Sequence, residues 1–418
     1  MNTSFLYHAF GVRTAVCTSI DYKDRGIICD IQTRSDKLCC PKCKSRNIIR
    51  NGTVERDIRS LPIGSKPMTL HVKVQRIICR DCKCDCQEKL HYTTGKQTYT
   101  HRLARFVVCL LKIGTIKNVA NFLGMSWATV KDIHKNYLKN NYVNPDMSKV
   151  KNIGIDEFAV KKGHKYKTIV VDLDTGHIIY VGDGKGADSL DKFWKKVERS
   201  GSEIKYIATD LSAAFISAVK KHAPKAVHVF DHFHVKKLIN DKVDKVRKAL
   251  YHKNEDAKTE GDMNSRKSKE EKKKRNFIKG LRWLILSNGS DLDGNGRKQL
   301  EEALKQNKSL YTAYYLKEEI NEVWRQPTKS MARNILYNWI SKAIRCKVPQ
   351  MVSAGLSMFK YREGILAWYD YSISTAKVEG INNKIKVMKR EAYGFRDVKY
   401  FELKLFSLHD ARITAFLR

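Results

Sequence analysis

The sequence lacks a long apolar run and is poor in acidic residues. No stretch reaches the roughly 18 apolar residues that a membrane-spanning helix needs. The start, MNTSFLYHAFGVRT, has no charged segment leading into an apolar core, as a secretory signal would. Asp and Glu number 44 against 80 Lys and Arg, which gives the 418 residues a formal charge of +36. We therefore expect a cytoplasmic protein without a membrane partner.

The excess of positive charge is larger than solubility requires and is typical of a surface that binds a polyanion. Nucleic acid is the first candidate partner. An anionic membrane is the competing interpretation, and the missing apolar run and signal segment argue against it. Hydrophobic residues make up 42% of the chain. At this length, that share predicts two or three folded domains rather than a disordered chain.

The eleven cysteines are unevenly distributed, which favours metal binding over disulfides. The pairs Cys40-Pro-Lys-Cys43 and Cys79-Arg-Asp-Cys82 have the spacing of a zinc ribbon, predicted over residues 34–95. Four thiolates would hold one structural Zn²⁺ and supply folding free energy that so small a region lacks. Cys39 remains an alternative to Cys40, and Cys84 or Cys86 an alternative to Cys82. Free cytosolic thiols are the competing interpretation.

Residues 101–139 show helical periodicity, and the last two predicted helices resemble a helix-turn-helix within residues 96–149. Gly124 supplies the turn, and Ser126 is placed to cap the second helix. A DNA-binding pair of this kind would present Trp127, Thr129 and Lys131 to the major groove. An ordinary helical hairpin that packs only for stability is the alternative.

From residue 150 the pattern changes to short β-branched runs. NIGIDEFAV, KTIVVDL and HIIYVGD predict three strands, followed by a helix, the strand IKYIATD, a second helix and the strand AVHVFD. This β-β-β-α-β-α-β order is typical of a ribonuclease H-like fold with a mixed sheet. Asp156 would lie on the first strand and Asp210 would end the fourth. Both carboxylates would then meet at one locus of the sheet.

The stretch from about 245 to 370 has no strand pattern and is too long for a loop, so it predicts an all-α insertion. A Lys-rich helix follows and carries Glu379. Asp156, Asp210 and Glu379 together form an Asp-Asp-Glu set that would hold two Mg²⁺ ions, or Mn²⁺, for phosphodiester chemistry. Phosphate contacts are expected from residues just beyond Glu379, although a solvated basic face is the alternative: Asn383, Lys384, Lys386 and Arg390.

These motifs resemble those of the bacterial insertion-sequence transposases of the ISL-three family, within the DDE superfamily, over nearly the whole chain. The resemblance rests on the cysteine pairs, the helix pair, Gly154-Ile155-Asp156-Glu157, Ala208-Thr209-Asp210, Asp231-His232-Phe233-His234-Val235, and Glu379-Gly380-Ile381-Asn382-Asn383 through Arg390, Tyr393, Gly394 and Phe395. It implies that Asp156, Asp210 and Glu379 are catalytic. Asp231 and His234 match a supporting Asp-x-x-His signature that follows the fourth strand in related transposases.

The predicted fold class is therefore multidomain α/β. A leader (1–33) precedes the zinc ribbon and the helix-turn-helix, and residues 150–418 form the ribonuclease H-like catalytic domain with its helical insertion. The resemblance implies double-stranded DNA partners, namely the element's terminal inverted repeats and a target. A homodimer or higher oligomer would form on that DNA, associated with the nucleoid.

Two other function classes share part of this pattern. A zinc-ribbon and helix-turn-helix regulator with an inactive ribonuclease H-like domain would lack the three intact carboxylates. A metal-dependent nuclease acting on RNA or on Holliday junctions would not need two separate DNA-binding modules. Specific binding to a DNA duplex distinguishes the transposase from the nuclease.

Overall fold

The computed structural model describes residues 5–23, 26–161, 165–253, 276–371, 376–392 and 394–409. The chain divides into two compact units, one made of Met1–Asn144 with Lys386–Arg418 and the other of Pro145–Ile385. The last segment of the chain thus belongs to the same unit as the N-terminal segments. Tyr393, part of the family resemblance, lies outside the described residues.

The first unit contains a five-stranded sheet in the order β1-β2-β4-β3, with β5 paired to β4. Its long β3–β4 hairpin turns at Gly64, whose φ of +59° suits a residue without a side chain. Residues 15–23 and 26–33, predicted as part of a leader, form two strands of this same sheet. The strands are β1 (Ala15–Lys23), β2 (Gly26–Thr33), β3 (Ile48–Ile63), β4 (Lys66–Cys79) and β5 (Asp85–Gln87).

Three helices follow the sheet: α1 (His101–Leu110), α2 (Ile116–Leu123) and α3 (Trp127–Tyr142). Gly124 ends α2 in the left-handed conformation, and the Ser126 hydroxyl accepts a hydrogen bond from the Thr129 N–H at the start of α3. The predicted turn and cap are therefore confirmed. The two helices share a buried apolar cluster that includes Val119, Ala120, Leu123, Val130 and Ile133.

The C-terminal helix α13 (Val398–Phe406) packs against α3 within the first unit. The Tyr400 hydroxyl lies 2.6 Å from Nδ1 of the buried His134. Asp397, which caps α13, forms ion pairs with Lys131 and Lys135 of α3 at 2.8 and 3.2 Å. The helix α13 is therefore held on α3 by packing, a buried hydrogen bond and paired charges.

The second unit is built on a mixed sheet in the order β10-β9-β6-β7-β8. β6 pairs antiparallel with β7 and parallel with β9, and β9 pairs parallel with β10. The predicted order of strands and helices is confirmed. The elements are β6 (Asn152–Lys161), β7 (Lys165–Asp172), β8 (Ile178–Asp183), α4 (Asp191–Ser200), β9 (Tyr206–Thr209), α5 (Ala213–His222) and β10 (Val227–Phe230).

Helices form the rest of the second unit, beginning at His232 rather than near residue 245. They enclose an apolar core around the fully buried Trp339. Gly364 permits close packing on the sheet, since a Cβ there would lie 2.4 Å from the Phe230 ring. The helices are α6 (His232–Lys253), α7 (Arg282–Leu286), α8 (Gly294–Gln306), α9 (Lys308–Glu319), α10 (Lys329–Arg345), α11 (Pro349–Leu366) and the start of α12 (Ala376–Glu391).

Candidate catalytic and metal sites

Asp156 lies on β6, and Asp210 directly follows the adjacent parallel strand β9 at the matching position. Gly154 of β6 pairs with Ala208 of β9, and each aspartate is two residues further along its strand direction. Side chains two residues apart in a strand share a face of the sheet. The sequence thus brings the two carboxylates to one edge, as the short apolar runs predicted.

Asp231 extends this arrangement to a third strand, because Val229 of β10 pairs with Ala208 and Asp231 again lies two residues further on. It directly follows β10, the strand predicted from AVHVFD. One Asp231 oxygen accepts the Phe233 N–H at 2.8 Å, and the other lies 3.7 Å from His234 Nε2. The Asp-x-x-His signature therefore forms a local pair at the start of α6.

The electrostatics of Asp156 indicate a place for a cation. Burial raises its carboxyl pKa, and the charge of Asp210 raises it further; hydrogen bonds from the Glu157 N–H and Asn382 and the proximity of His234 act in the opposite direction. Burial also raises the pKa of Glu157, with added contributions from the charges of Asp210 and Asp156. A cation bound among these carboxylates would favour their ionised forms and so lower the pKa values of both Asp156 and Glu157.

The helix α12 reaches the sheet at Gly154, where a Cβ would lie 2.9 Å from Val378. Asn382 Nδ2 donates a hydrogen bond to Asp156 Oδ2, and Asn382 Oδ1 is buried with no hydrogen-bond partner among the residues that the structure describes. Glu379, one turn earlier, is exposed to solvent. The structure therefore brings Asn382 rather than Glu379 into contact with Asp156. The i, i+3 spacing places both residues on one face of the helix, but it does not show which of the two makes the contact.

The cysteine pairs meet beside the end of β4. Sulfur atoms of Cys40, Cys43, Cys79 and Cys82 all lie within 4.8 Å of one another, as tetrahedral zinc coordination requires. Within the described ranges the only other such metal-ligating set is Cys40 with Cys84 and Cys86, and Cys39 belongs to neither. A hydrogen bond from the Cys43 N–H leads the effects that lower the pKa of Cys40 to about 6, which favours the thiolate that binds metal.

The residues predicted to contact DNA have different environments. Trp127 is 51% exposed on α3, and Thr129 is partly exposed. Lys131 lies between Asp397 and the Trp127 ring, with its amine 5.1 Å from the ring centre. The residues predicted on α12 are solvent-exposed: Asn383, Lys384, Lys386 and Arg390.

Comparison with known proteins identifies the class. A family profile of the ISL-three type described as "Transposase" matches residues 153–405, and one described as "zinc-finger of transposase IS204/IS1001/IS1096/IS1165" matches residues 36–82. The protein is thus a transposase with a zinc ribbon. The chain belongs to the ISL-three transposase family, so the predicted family and function are confirmed.

The relatives span most of the chain. The transposase for insertion sequence element IS1001 of Bordetella parapertussis is 32% identical over 88% of this chain and 88% of its own length. The transposase for insertion sequence element IS1557 of Mycobacterium tuberculosis is 26% identical over 88% of this chain and 85% of its own.

Among solved structures, the Drosophila P element transposase strand transfer complex matches with a TM-score of 0.38 and 13% identity. The match covers 75% of this chain and 92% of that one. At this score the similarity does not establish a shared fold. No described helix has the length and apolar character needed to span a membrane.

Proposed function

We propose that this transposase cuts and joins DNA at a ribonuclease H-like active site formed by Asp156, Asp210 and Glu379. The observation that supports it best is the pairing of Gly154 on β6 with Ala208 on the parallel strand β9, because Asp156 and Asp210 each follow two residues later. The helix α12 contacts β6 at the same glycine. The sheet order β10-β9-β6-β7-β8 supports the ribonuclease H-like assignment. Glu379 precedes by one turn the Asn382 that bonds Asp156.

The carboxylate oxygens of this set are the ligands that Mg²⁺ and Mn²⁺ prefer. When bound, two such ions would activate the attacking oxygen and stabilise the leaving oxygen during in-line displacement. Asp156 and Asp210 would hold them, with Glu379 as the third carboxylate. Asn382 orients Asp156 through its donated hydrogen bond, and Asp231 fixes the start of α6 and the position of His234. Water and then a 3′ hydroxyl serve as nucleophiles, without a covalent protein intermediate.

The first unit, in this proposal, recognises DNA. One structural Zn²⁺ bound by Cys40, Cys43, Cys79 and Cys82 stabilises the sheet, and α2 and α3 act as a helix-turn-helix on the terminal inverted repeats. Trp127 and Thr129 stand at the exposed start of α3, where base contacts are made in such motifs. Two element ends and a target must be held together, so we expect a dimer or higher oligomer on DNA.

The catalytic assignment predicts that Glu379→Gln and Asp156→Asn abolish cleavage but not DNA binding. The full-length protein would be incubated with Mg²⁺ and a duplex carrying the inverted repeat that flanks its gene. Losing a metal ligand removes several kcal/mol of transition-state stabilisation, so cleavage and strand transfer should fall about a thousandfold or more. Terminal-repeat binding should change by less than about twofold, because neither side chain reads the sequence.

Glu391→Gln is the matched control, because Glu391 is also an exposed carboxylate of α12 but ends the helix. It lies about 18 Å from Glu379 at 1.5 Å per residue, too far to share a metal ion. Strand transfer that survives in Glu379→Gln, or that is lost equally in a folded Glu391→Gln, would show that another acid is the third ligand. A wild-type protein that binds the repeats but never cleaves would favour the regulator class instead.

A further inference from the structure

Tyr371 lies after α11 and before α12, and it contacts the sheet of the second unit in two ways. Its ring stacks on that of Tyr206 at the start of β9, with the ring centres 4.5 Å apart and the ring planes 18° from parallel. Its hydroxyl donates a hydrogen bond to Asp174 Oδ1 at 3.2 Å, in the turn between β7 and β8. The same carboxylate accepts hydrogen bonds from Asn152 Nδ2, at the start of β6, at 2.9 Å. Tyr371 is therefore attached to the sheet through both its ring and its hydroxyl.

Tyr371 also shares packing partners with the first turn of α12. Tyr371 and Val378 pack against one small buried cluster that includes Leu173 and Ala208. Leu173 and Val378 meet at Gly154 of β6, where a Cβ would lie 3.0 and 2.9 Å from them. Because packed side chains transmit displacements to their neighbours, the position of the Tyr371 ring affects that of Val378.

The helix α12 follows β6 in matching steps. Val378 lies at Gly154, and Asn382, one turn later, donates a hydrogen bond to Asp156. Four residues of a helix advance by about 6 Å and two residues of a strand by about 6.6 Å, so these two contacts fit one alignment of helix and strand. Glu379 lies between the two contacts and is itself exposed. Its position therefore depends on where the helix is held.

We infer that Tyr371 is a positioning residue of the proposed active site: its ring stack and hydrogen bond hold α12 in register on β6 and thereby set the position of Glu379 relative to Asp156. A slide of α12 by one residue would move the Glu379 carboxylate by about 1.5 Å, several times the roughly 0.2 Å tolerance of a metal–ligand distance. The helix of a metal ligand must therefore be fixed. The inference rests on the proposed function, in which Glu379 is the third carboxylate.

The test measures Mn²⁺ binding to zinc-loaded full-length protein without DNA, from the electron paramagnetic resonance signal of free Mn²⁺. Tyr371→Ala should weaken Mn²⁺ binding by about 10- to 100-fold, the range for losing a residue that orients a metal ligand. Tyr371→Phe should stay within about threefold of wild type, because it keeps the ring stack and loses only a solvent-exposed hydrogen bond. In a Glu379→Gln background, Tyr371→Ala should have no further effect, because the ligand that Tyr371 positions is gone.

Hydrogen exchange of metal-free α12 amides provides a second measurement, which does not depend on the catalytic assignment. These amides should exchange severalfold faster in Tyr371→Ala than in wild type, because α12 is less firmly held. Tyr369→Ala is the matched control, since the Tyr369 hydroxyl bonds the Val323 carbonyl of the helical region at 2.6 Å. Both alanine variants should lower the melting temperature, but Tyr369→Ala should leave α12 exchange and Mn²⁺ binding unchanged. If Tyr371→Ala does not fold, Tyr206→Leu removes the same ring stack from the sheet side and should give the same two results.

Unchanged α12 exchange in a folded Tyr371→Ala would overturn the inference. A loss of Mn²⁺ binding that is equal in Tyr369→Ala, or that Tyr371→Ala still causes in the Glu379→Gln background, would indicate general destabilisation and would overturn it as well. If Glu379→Gln alone left Mn²⁺ binding unchanged while Tyr371→Ala still increased α12 exchange, the catalytic assignment of Glu379 would be overturned and the anchoring of α12 by Tyr371 would be supported.

Discussion

At the residue scale, each candidate metal site brings together side chains whose burial or close approach costs free energy when no cation is bound. Asp156 is a buried carboxylate whose pKa is raised by burial and by Asp210, and it accepts hydrogen bonds from the Asn382 side chain and the Glu157 N–H. In the first unit, Cys43 and Cys79 place their sulfur atoms 3.5 Å apart without forming a disulfide. A bound metal ion would explain both arrangements, because it would offset the cost of burying the carboxylate and of bringing the sulfur atoms together.

The cysteine site predicts the effect of removing a single ligand. Cys43→Ser should reduce bound zinc from one per chain to a substoichiometric amount and lower the melting temperature of the first unit, because three thiolates hold Zn²⁺ less tightly than four. Cys39→Ser is the control, because Cys39 is next to Cys40 but is not one of the four ligands. This variant should keep its bound zinc and its melting temperature. Metal analysis with circular dichroism melting on full-length protein measures the two quantities.

The same zinc analysis can identify the fourth ligand, because Cys84 and Cys86 form an alternative set with Cys40. Cys84 lies 3.3 Å from Cys40, and Cys86 lies 3.5 Å from Cys84. Retention of stoichiometric zinc in Cys82→Ser, with loss in Cys84→Ser or Cys86→Ser, would move the fourth ligand away from Cys82. Retention in Cys43→Ser would refute the site as a whole.

At the scale of helices and strands, the sequence predicted the features that depend on the spacing of residues close together in the chain. The helix pair, its Gly124 turn and Ser126 cap, and the strand order from β6 to β10 follow from periodicity and turn chemistry. Contacts between residues distant in sequence could not be predicted this way. His134 bonds Tyr400 across 266 positions, and no local pattern marks that pair.

The proposed catalytic side chains likewise include one feature that the sequence predicted and one that it did not. The register of Asp156 with Asp210 follows from two short apolar runs, which the sequence displays. The contact of Asn382 with Asp156 depends on how closely α12 approaches β6, and that distance is determined by the missing side chain of Gly154. Spacing along α12 alone therefore favoured Glu379 without revealing that Asn382 makes the contact.

The α3–α13 contact predicts a pH dependence. Burial and, to a smaller extent, the charge of Lys404 lower the pKa of His134 to about 3, against about 6.5 in an unfolded chain. Below pH 6.5, His134 therefore binds a proton when α13 has separated from α3, but not while the two helices are packed together. Stability of the contact should fall as pH decreases from 6.5 toward 3, by up to about 1.4 kcal/mol per pH unit.

Hydrogen exchange of α13 amides at pH 7 and pH 5, corrected for intrinsic rates, measures this opening. His134→Gln keeps a polar partner for Tyr400 but does not titrate, so its α13 protection should change less between the two pH values. His228, whose pKa burial lowers to about 4, is present in both proteins, so its contribution cancels in the comparison. Equal pH dependence in wild type and His134→Gln would exclude His134 as the titrating group.

At the scale of the whole molecule, positive charge and separate units determine how DNA would be bound. The formal charge of +36 implies long-range attraction to any duplex, whereas specificity requires contacts with base edges. The predicted DNA contacts fall in both units, on α3 and on α12. Lys131 is paired with Asp397, but Lys384 is exposed, so the two lysines should contribute differently.

The salt dependence of binding should separate these roles. Lys384→Gln removes one expected phosphate contact, so the slope of log affinity against log salt should become shallower by about 0.9, for terminal-repeat and random duplexes alike. Lys131→Gln should change that slope less, because Asp397 already neutralises this amine, but should reduce discrimination between the two duplexes through the disturbed Trp127. Fluorescence anisotropy titrations of full-length protein from low to physiological salt measure both. If random duplex bound as tightly as the terminal repeat at physiological salt, sequence recognition would be refuted. If the slope were unchanged in Lys384→Gln, the predicted phosphate contact of α12 would be refuted.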